Sequence, residues 1–139
     1  MGEIKVNIEL ENSFDIERFA EKRILESDVR RYNLDAIVDT GSVMLVVPQD
    51  IIENLGLKFR RIVIVAYADD RKEERPVAGP VTIKIKDRMM ITECIMGPPA
   101  SETLIGQVVL ESLDLLADCQ SQKLIPRPES PIYPMLKLK

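Results

Sequence analysis

Leu34-Asp35-Ala36-Ile37-Val38-Asp39-Thr40-Gly41-Ser42-Val43-Met44-Leu45-Val46-Val47 is the stretch that decides how this chain is read. Two apolar runs, Leu34–Val38 and Val43–Val47, are separated by the four polar or small residues Asp39-Thr40-Gly41-Ser42. Short apolar runs rich in β-branched residues and bounded by turn signals read as buried strands. The loop between them therefore carries a carboxylate into apolar surroundings. A lone buried carboxylate is costly unless it finds hydrogen-bond donors or a second acid with which to share a proton. The hydroxyls of Thr40 and Ser42 and the backbone N–H groups near Gly41 are the donors at hand. Asp-Thr-Gly alone also makes an ordinary turn, because Asp bonds local backbone and Gly tolerates positive φ. Apolar runs on both sides favour a buried loop, since simple turns sit among polar neighbours.

Composition narrows the chemistry. A chain of 139 residues, 45% apolar and 30% charged, is expected to form one soluble globular domain. No apolar run approaches the roughly 20 residues that span a bilayer, so a cytoplasmic protein without membrane contact is expected. Cys94 and Cys119 lie far apart and form no CxxC pattern, and they read as reduced thiols. The net charge of −4 gives no pull toward nucleic acid, and Arg30-Arg31 and Arg60-Arg61 read as solvated edges. Histidine is absent. That excludes serine–histidine and cysteine–histidine nucleophiles in their usual form, as well as His-containing zinc sites. The six glycines are dispersed and make no phosphate-binding loop. Acid–base chemistry falls to Asp and Glu, with no metal and no cofactor implied.

The remainder reads as many short strands with little helix. Ile4–Leu10 alternates with period two as a half-buried strand. Residues 13–32 form a long charged connection with a helical turn or two. Pro48–Gly56 is a short helix, with proline at its start and Gly56 placed to end it. Ile62–Ala66 reads as a continuously apolar strand, followed by the solvated run Asp69–Arg75. Val77–Lys86 alternates, with Val81, Ile83 and Ile85 on one face, and a tight turn around Asp87-Arg88 joins it to a strand Met89–Met96. Leu104-Ile105-Gly106 leads into a helix over Gln107–Leu116, and Lys123–Ile125 is a last strand before an extended tail. The fold class is mainly β, closed or nearly closed, with one or two short helices.

Ala36-Ile37-Val38-Asp39-Thr40-Gly41-Ser42 resembles the active-site loop of aspartic proteases. A single copy in a short chain resembles the retropepsin branch, in which two identical chains each supply one Asp. The resemblance implies a retropepsin-like closed β-barrel, the acid protease fold, spanning residues 34–131. Residues 1–33 then form an N-terminal strand and charged connection of the same domain, and residues 132–139 a tail. It further implies an aspartic-type endopeptidase acting as a homodimer on a peptide or protein substrate. Asp39 would be the catalytic residue. Thr40 would lock the two loops together across the dimer, Gly41 would let the backbone approach the carboxylates, and Ser42 would donate to the outer carboxylate oxygen.

In this family the loop is braced by an apolar-apolar-Gly strand end that leads into a helix, and Leu104-Ile105-Gly106 matches in type and order. An apolar strand beneath the loop needs a glycine where backbones approach closely. The candidate flap, the hairpin that closes over substrate, lies between Tyr67 and Val81 and includes Val77, Ala78 and Gly79. An ordinary exposed hairpin fits that stretch as well, and the sequence does not fix its tip. Leu124–Pro131 further resembles small prokaryotic members. The alternative function is a catalytically silent module of the same fold that dimerises or binds peptides. The N-terminal segment is longer and more charged than a minimal retropepsin needs, and it would either cover the barrel or bind a partner.

Overall fold

The computed structural model describes residues 3–138. Its first strand, β1 (Lys5–Asn12), points Ile8 and Leu10 into the core and ends at a residue that starts the next element. The Asn12 side chain accepts the Asp15 N–H at 3.0 Å and caps α1 (Ser13–Ala20), satisfying one of the helix's free amide groups. After one 3-10 turn at Glu26–Asp28 the chain returns as β2 (Arg31–Val38), antiparallel to β1 with Leu34 opposite Ile8. The Asp39 loop follows, then β3 (Leu45–Pro48) and α2 (Gln49–Leu55). Gly56 ends α2 at φ +66°, a left-handed conformation that favours glycine.

Three long strands follow: β4 (Lys58–Ala66), β5 (Lys72–Ile85) and β6 (Arg88–Gly97). The rest of the chain is β7 (Leu104–Ile105), α3 (Gln107–Leu113), β8 (Leu115–Asp118) and β9 (Lys123–Pro126). Seven strands make one sheet in the order β1-β2-β7-β3-β6-β5-β4, and β8 and β9 form a separate hairpin. Because β1 also pairs with β5, with Leu10 opposite Ile83, the sheet returns on itself and leaves β4 outside the ring. The enclosed core holds Ile8, Leu10, Leu45, Val81, Ile83 and Ile105, each about 1% exposed or less. Each such side chain contributes about 1.5–3 kcal/mol of transfer free energy.

Several expectations change. Among the described residues there are three α-helices, because the charged connection contains α1. The helix expected through Leu116 stops at Leu113, where Asp114 turns left-handed (φ +56°), and Leu115–Asp118 continues as a strand. A Leu-Leu-Ala run satisfies either period, so the apolar pattern does not separate the two. Arg88 is not in the turn: Lys86 and Asp87 make it, and Arg88 starts β6 with its guanidinium buried. It donates to the carbonyl oxygens of Leu113 (2.7 Å), Asp114 (2.9 Å) and Ser130, and so satisfies acceptors at the C-terminal end of α3.

The apolar run Ile62–Ala66 is a strand but not a buried one. Ile62 and Ile64 are 52% and 68% exposed. Ile62–Ala66 and Lys72–Pro76 pair with each other, whereas β6 follows β5 no further than Val77. The result is a two-stranded arm that leaves the sheet and turns at Tyr67–Arg71, where the Tyr67 N–H donates to the Arg71 carbonyl at 2.8 Å.

Candidate functional site

Four elements hold the Asp39-Thr40-Gly41-Ser42 loop. β2 delivers Asp39 at its end and β3 begins just beyond Met44. The two residues of β7 lie between these strands, parallel to β2 and antiparallel to β3. The Ile37 and Asp39 N–H groups donate to the carbonyls of Thr103 and Ile105, each at 2.9 Å. From below, α3 presents its first amides: Gln107 N–H donates to Ser42 O and Val108 N–H to Val43 O, each at 2.9 Å. Here the backbones are so close that a Cβ on Gly106 would lie 2.6 Å from the carbonyl oxygens of both Ser42 and Met44. Leu104, Ile105 and Gly106 thus lie directly against the Asp39 loop.

Within the loop, the Gly41 N–H donates to Asp39 Oδ1 at 3.0 Å and the Ser42 N–H to the Asp39 carbonyl at 3.1 Å. This is an Asx-type turn, closed by the carboxylate itself. Ser42 departs from the role expected of it. Its hydroxyl donates to the Met44 carbonyl at 3.0 Å rather than to the Asp39 carboxylate, because the chain turns back toward β3 immediately after Ser42. The burial expected of the second flank also starts later. Leu45 is buried, but Val43 is 67% exposed, Thr40 and Gly41 lie at the surface, and Asp39 is half-buried. In the single chain the loop is a crest with one open side.

Beside that crest lies an open groove of about 290 Å³, lined by Thr40, Gln107, Leu110, Glu111, Leu116 and Arg127 among others. Leu116 leaves apolar surface exposed in it, and Val43 on the loop and Val108 on α3 are exposed apolar side chains as well. The loop's hydrogen bonds involve no carboxylate but Asp39 among the described residues. Nor, among the described residues, do three His, Cys, Asp or Glu side chains cluster as metal ligands do.

The candidate flap residues Val77, Ala78 and Gly79 are buried in the middle of β5, at the root of the arm rather than at its tip. Val77 and Ala78 pair with Ile95 and Cys94 of β6, which places them in the body of the sheet. The tip is Tyr67-Ala68-Asp69-Asp70, where Asp70 adopts φ +68°.

Two polar clusters were not legible in the sequence, one at α1 and one beside the groove. Asp15, 3% exposed, accepts from the Arg30 backbone N–H, Nε and a terminal guanidinium nitrogen (2.8–3.0 Å), and from Arg18 at 3.0 Å. The Arg30 hydrogen bonds, outweighing burial, hold its carboxyl below the usual range. Asp114 gathers the start of the tail: it accepts from the Ser130 hydroxyl, from the Met135 N–H at 2.9 Å, and pairs with Arg127 at 2.6 Å. The Ser130 hydrogen bond, then that of Met135, brings its pKa down to about 2. Nothing in the local pattern Ser112-Leu113-Asp114-Leu115 signals this, because every partner is distant in sequence. No protein-family model matches the chain, and no curated protein matches it.

Proposed function

We propose that this chain is an aspartic endopeptidase of retropepsin-like fold, active as a homodimer in which each copy contributes Asp39. The observation that carries the reading is the loop itself. A half-buried carboxylate stands on a crest that is fixed from below by β7 and α3, yet its Thr40–Gly41 side is open, with exposed apolar side chains at Val43 in the loop, at Val108 of the helix that holds it and at Leu116 in the groove beside Thr40. Apolar side chains around a polar motif are what an interface between copies needs. A second copy would also supply the carboxylate that the single chain lacks.

The chemistry follows from the pairing. Two carboxylates about 3 Å apart cannot both ionise and share one proton, the established behaviour of aspartic proteases as a class. The ionised member takes a proton from a water, which attacks the scissile carbonyl carbon while the protonated member polarises its oxygen. The tetrahedral intermediate collapses with proton transfer to the departing amine. The β4–β5 arm, with Ile62 and Ile64 exposed on one face and Val63 and Val65 half-buried on the other, is the element of this chain that fits a lid over an extended peptide. A closed retropepsin-like barrel accords with the sheet that returns on itself through β1 and β5.

The test compares wild type with Asp39→Asn on an unstructured protein substrate, with sedimentation to follow the dimer. Amide and acid are nearly isosteric, but the amide cannot act as base. Cleavage should vanish while fold and dimer persist, and wild-type specific activity should fall on dilution in step with the dimer fraction. Cleavage by Asp39→Asn above a few per cent, or a fully active monomer, refutes the proposal. A wild-type dimer that cleaves nothing selects the silent dimerisation or peptide-binding module.

A further inference from the structure

Residues 12–15 touch both strands of the β4–β5 hairpin at its root. On the β4 side, Asn12 Nδ2 donates to the carbonyls of Leu55 (2.8 Å) and Gly56 (3.4 Å), just before β4 begins. The Lys58 ammonium lies 5.6 Å from the centroid of the Phe14 ring, within cation–π range. Arg30, held by Asp15, lays its guanidinium over Gly56, in the space that a side chain there would occupy. On the β5 side, Asn12 pairs with Val81, and the hydroxyls of Ser13 and Thr82 share a buried hydrogen bond of 2.8 Å.

Directly above this root both strands are interrupted at one level. The β4–β5 register shifts between Phe59 and Arg61, and the β5–β6 register shifts between Ala78 and Val81. Lys58 lies opposite Gly79 and Phe59 opposite Ala78, so the two irregularities are neighbours across the hairpin. Bulges bend a strand and break its ladder locally, and hinges sit where a few residues absorb backbone change. Beyond Val77, where the pairing with β6 ends, the arm Ile62–Pro76 is paired only with itself, and a two-stranded ribbon alone is marginal in water.

We propose that Asn12, Ser13, Phe14 and Asp15, together with Arg30, clamp the root of the hairpin and fix the irregular stretches Phe59–Arg61 and Val77–Pro80, from whose outer ends at Arg61 and Val77 the arm Ile62–Pro76 swings. The N-terminal segment is then a hinge block. That the swinging arm covers Asp39 rests on the peptidase reading; the hinge itself does not.

Amide hydrogen exchange on the full chain, read residue by residue, tests this. In the wild type, Val63–Ala66 and Glu73–Arg75 should exchange roughly tenfold or more faster than Ile83–Ile85. Asp15→Asn weakens the hold on Arg30 and should raise exchange at Lys58, Phe59, Thr82 and throughout the arm by about tenfold. The amides of β8 and β9 should stay within about twofold, since the clamp does not reach them. Ser13→Ala, a gentler change that serves if Asp15→Asn does not fold, should show the same pattern a few-fold weaker. Arm amides as protected as Ile83–Ile85 in the wild type would overturn the hinge. So would a rise spread evenly over the chain, which is the signature of general destabilisation. An inactive wild type would sink the peptidase reading and leave the exchange result standing.

Discussion

Replacing Gly106 by alanine would put a Cβ 2.6 Å from the carbonyl oxygens of Ser42 and Met44 and 2.8 Å from the Val43 carbonyl carbon. All three are backbone atoms, so no rotamer change relieves the clash. Either the Ser42–Met44 segment rises or α3 slides away, and both movements break the Gln107 and Val108 hydrogen bonds to the loop. Those bonds are worth about 1 kcal/mol each net, and an overpacked site adds about 1–3 kcal/mol, so the expected loss is about 3–5 kcal/mol. Gly41→Ala is the control: its Cβ would meet only Asp39 Oδ1, a side-chain atom, at 3.3 Å. That substitution should remain within about 1 kcal/mol of wild type. Urea unfolding followed by circular dichroism, at one fixed protein concentration so that any dimer contributes equally, gives both values. Gly106→Ala within about 0.5 kcal/mol of wild type, or Gly41→Ala equally damaging, would refute the view that the loop is fixed from beneath through Gly106.

Ser42→Ala should cost about 1 kcal/mol of stability through the lost bond to Met44 and should leave the acid limb of any pH–rate profile in place; a displaced limb would mean that the hydroxyl reaches the carboxylate in the working enzyme. Asp114, held at about 2 against an ordinary 3.8, binds fewer protons folded than unfolded. Its contribution to stability is therefore complete above the ordinary value and is lost as pH falls through about 2. The Met135 amide resonance should titrate with that low midpoint, and a midpoint at the ordinary value would show that the cluster does not hold the tail. Burial pushes the Cys94 thiol up to about 12, whereas Cys119 is exposed. A thiol reagent should therefore label Cys119 alone in the folded protein and both cysteines after unfolding, and labelling of native Cys94 would contradict its burial.

Much of the sheet was legible because its signals are local. Val81, Ile83 and Ile85 alternate as a one-sided strand and are fully buried together, and Pro48 and Gly56 bracket α2. The Asp39 loop was legible for the same reason, since its flanks and turn residues adjoin it in the chain. Exposure was not. Ile62-Val63-Ile64-Val65 reads as core by composition, yet the strand lies outside the ring, a matter of topology rather than pattern. Val77–Gly79 invite a tip because glycine and proline punctuate turns, but here they sit at an irregularity inside the sheet. Ser42 could not be assigned from sequence because its acceptor depends on which way the chain leaves the loop. The Asp15–Arg30 and Asp114–Ser130 clusters join residues far apart along the chain, which no periodicity reveals.

The place of β7 between β2 and β3 also orders events during synthesis. A nascent chain that has emerged only as far as Gly97 already contains Asp39 and both of its apolar flanks. It lacks Thr103 and Ile105, whose carbonyls accept from the Ile37 and Asp39 amides, and the helix whose first amides donate to the far side of the loop. Pairings between residues so distant along the chain form slowly. The carboxylate loop therefore cannot complete its hydrogen bonds before the segment Thr103–Val108 is available to it. Chains truncated before Thr103 carry the acid without the cradle that holds its loop.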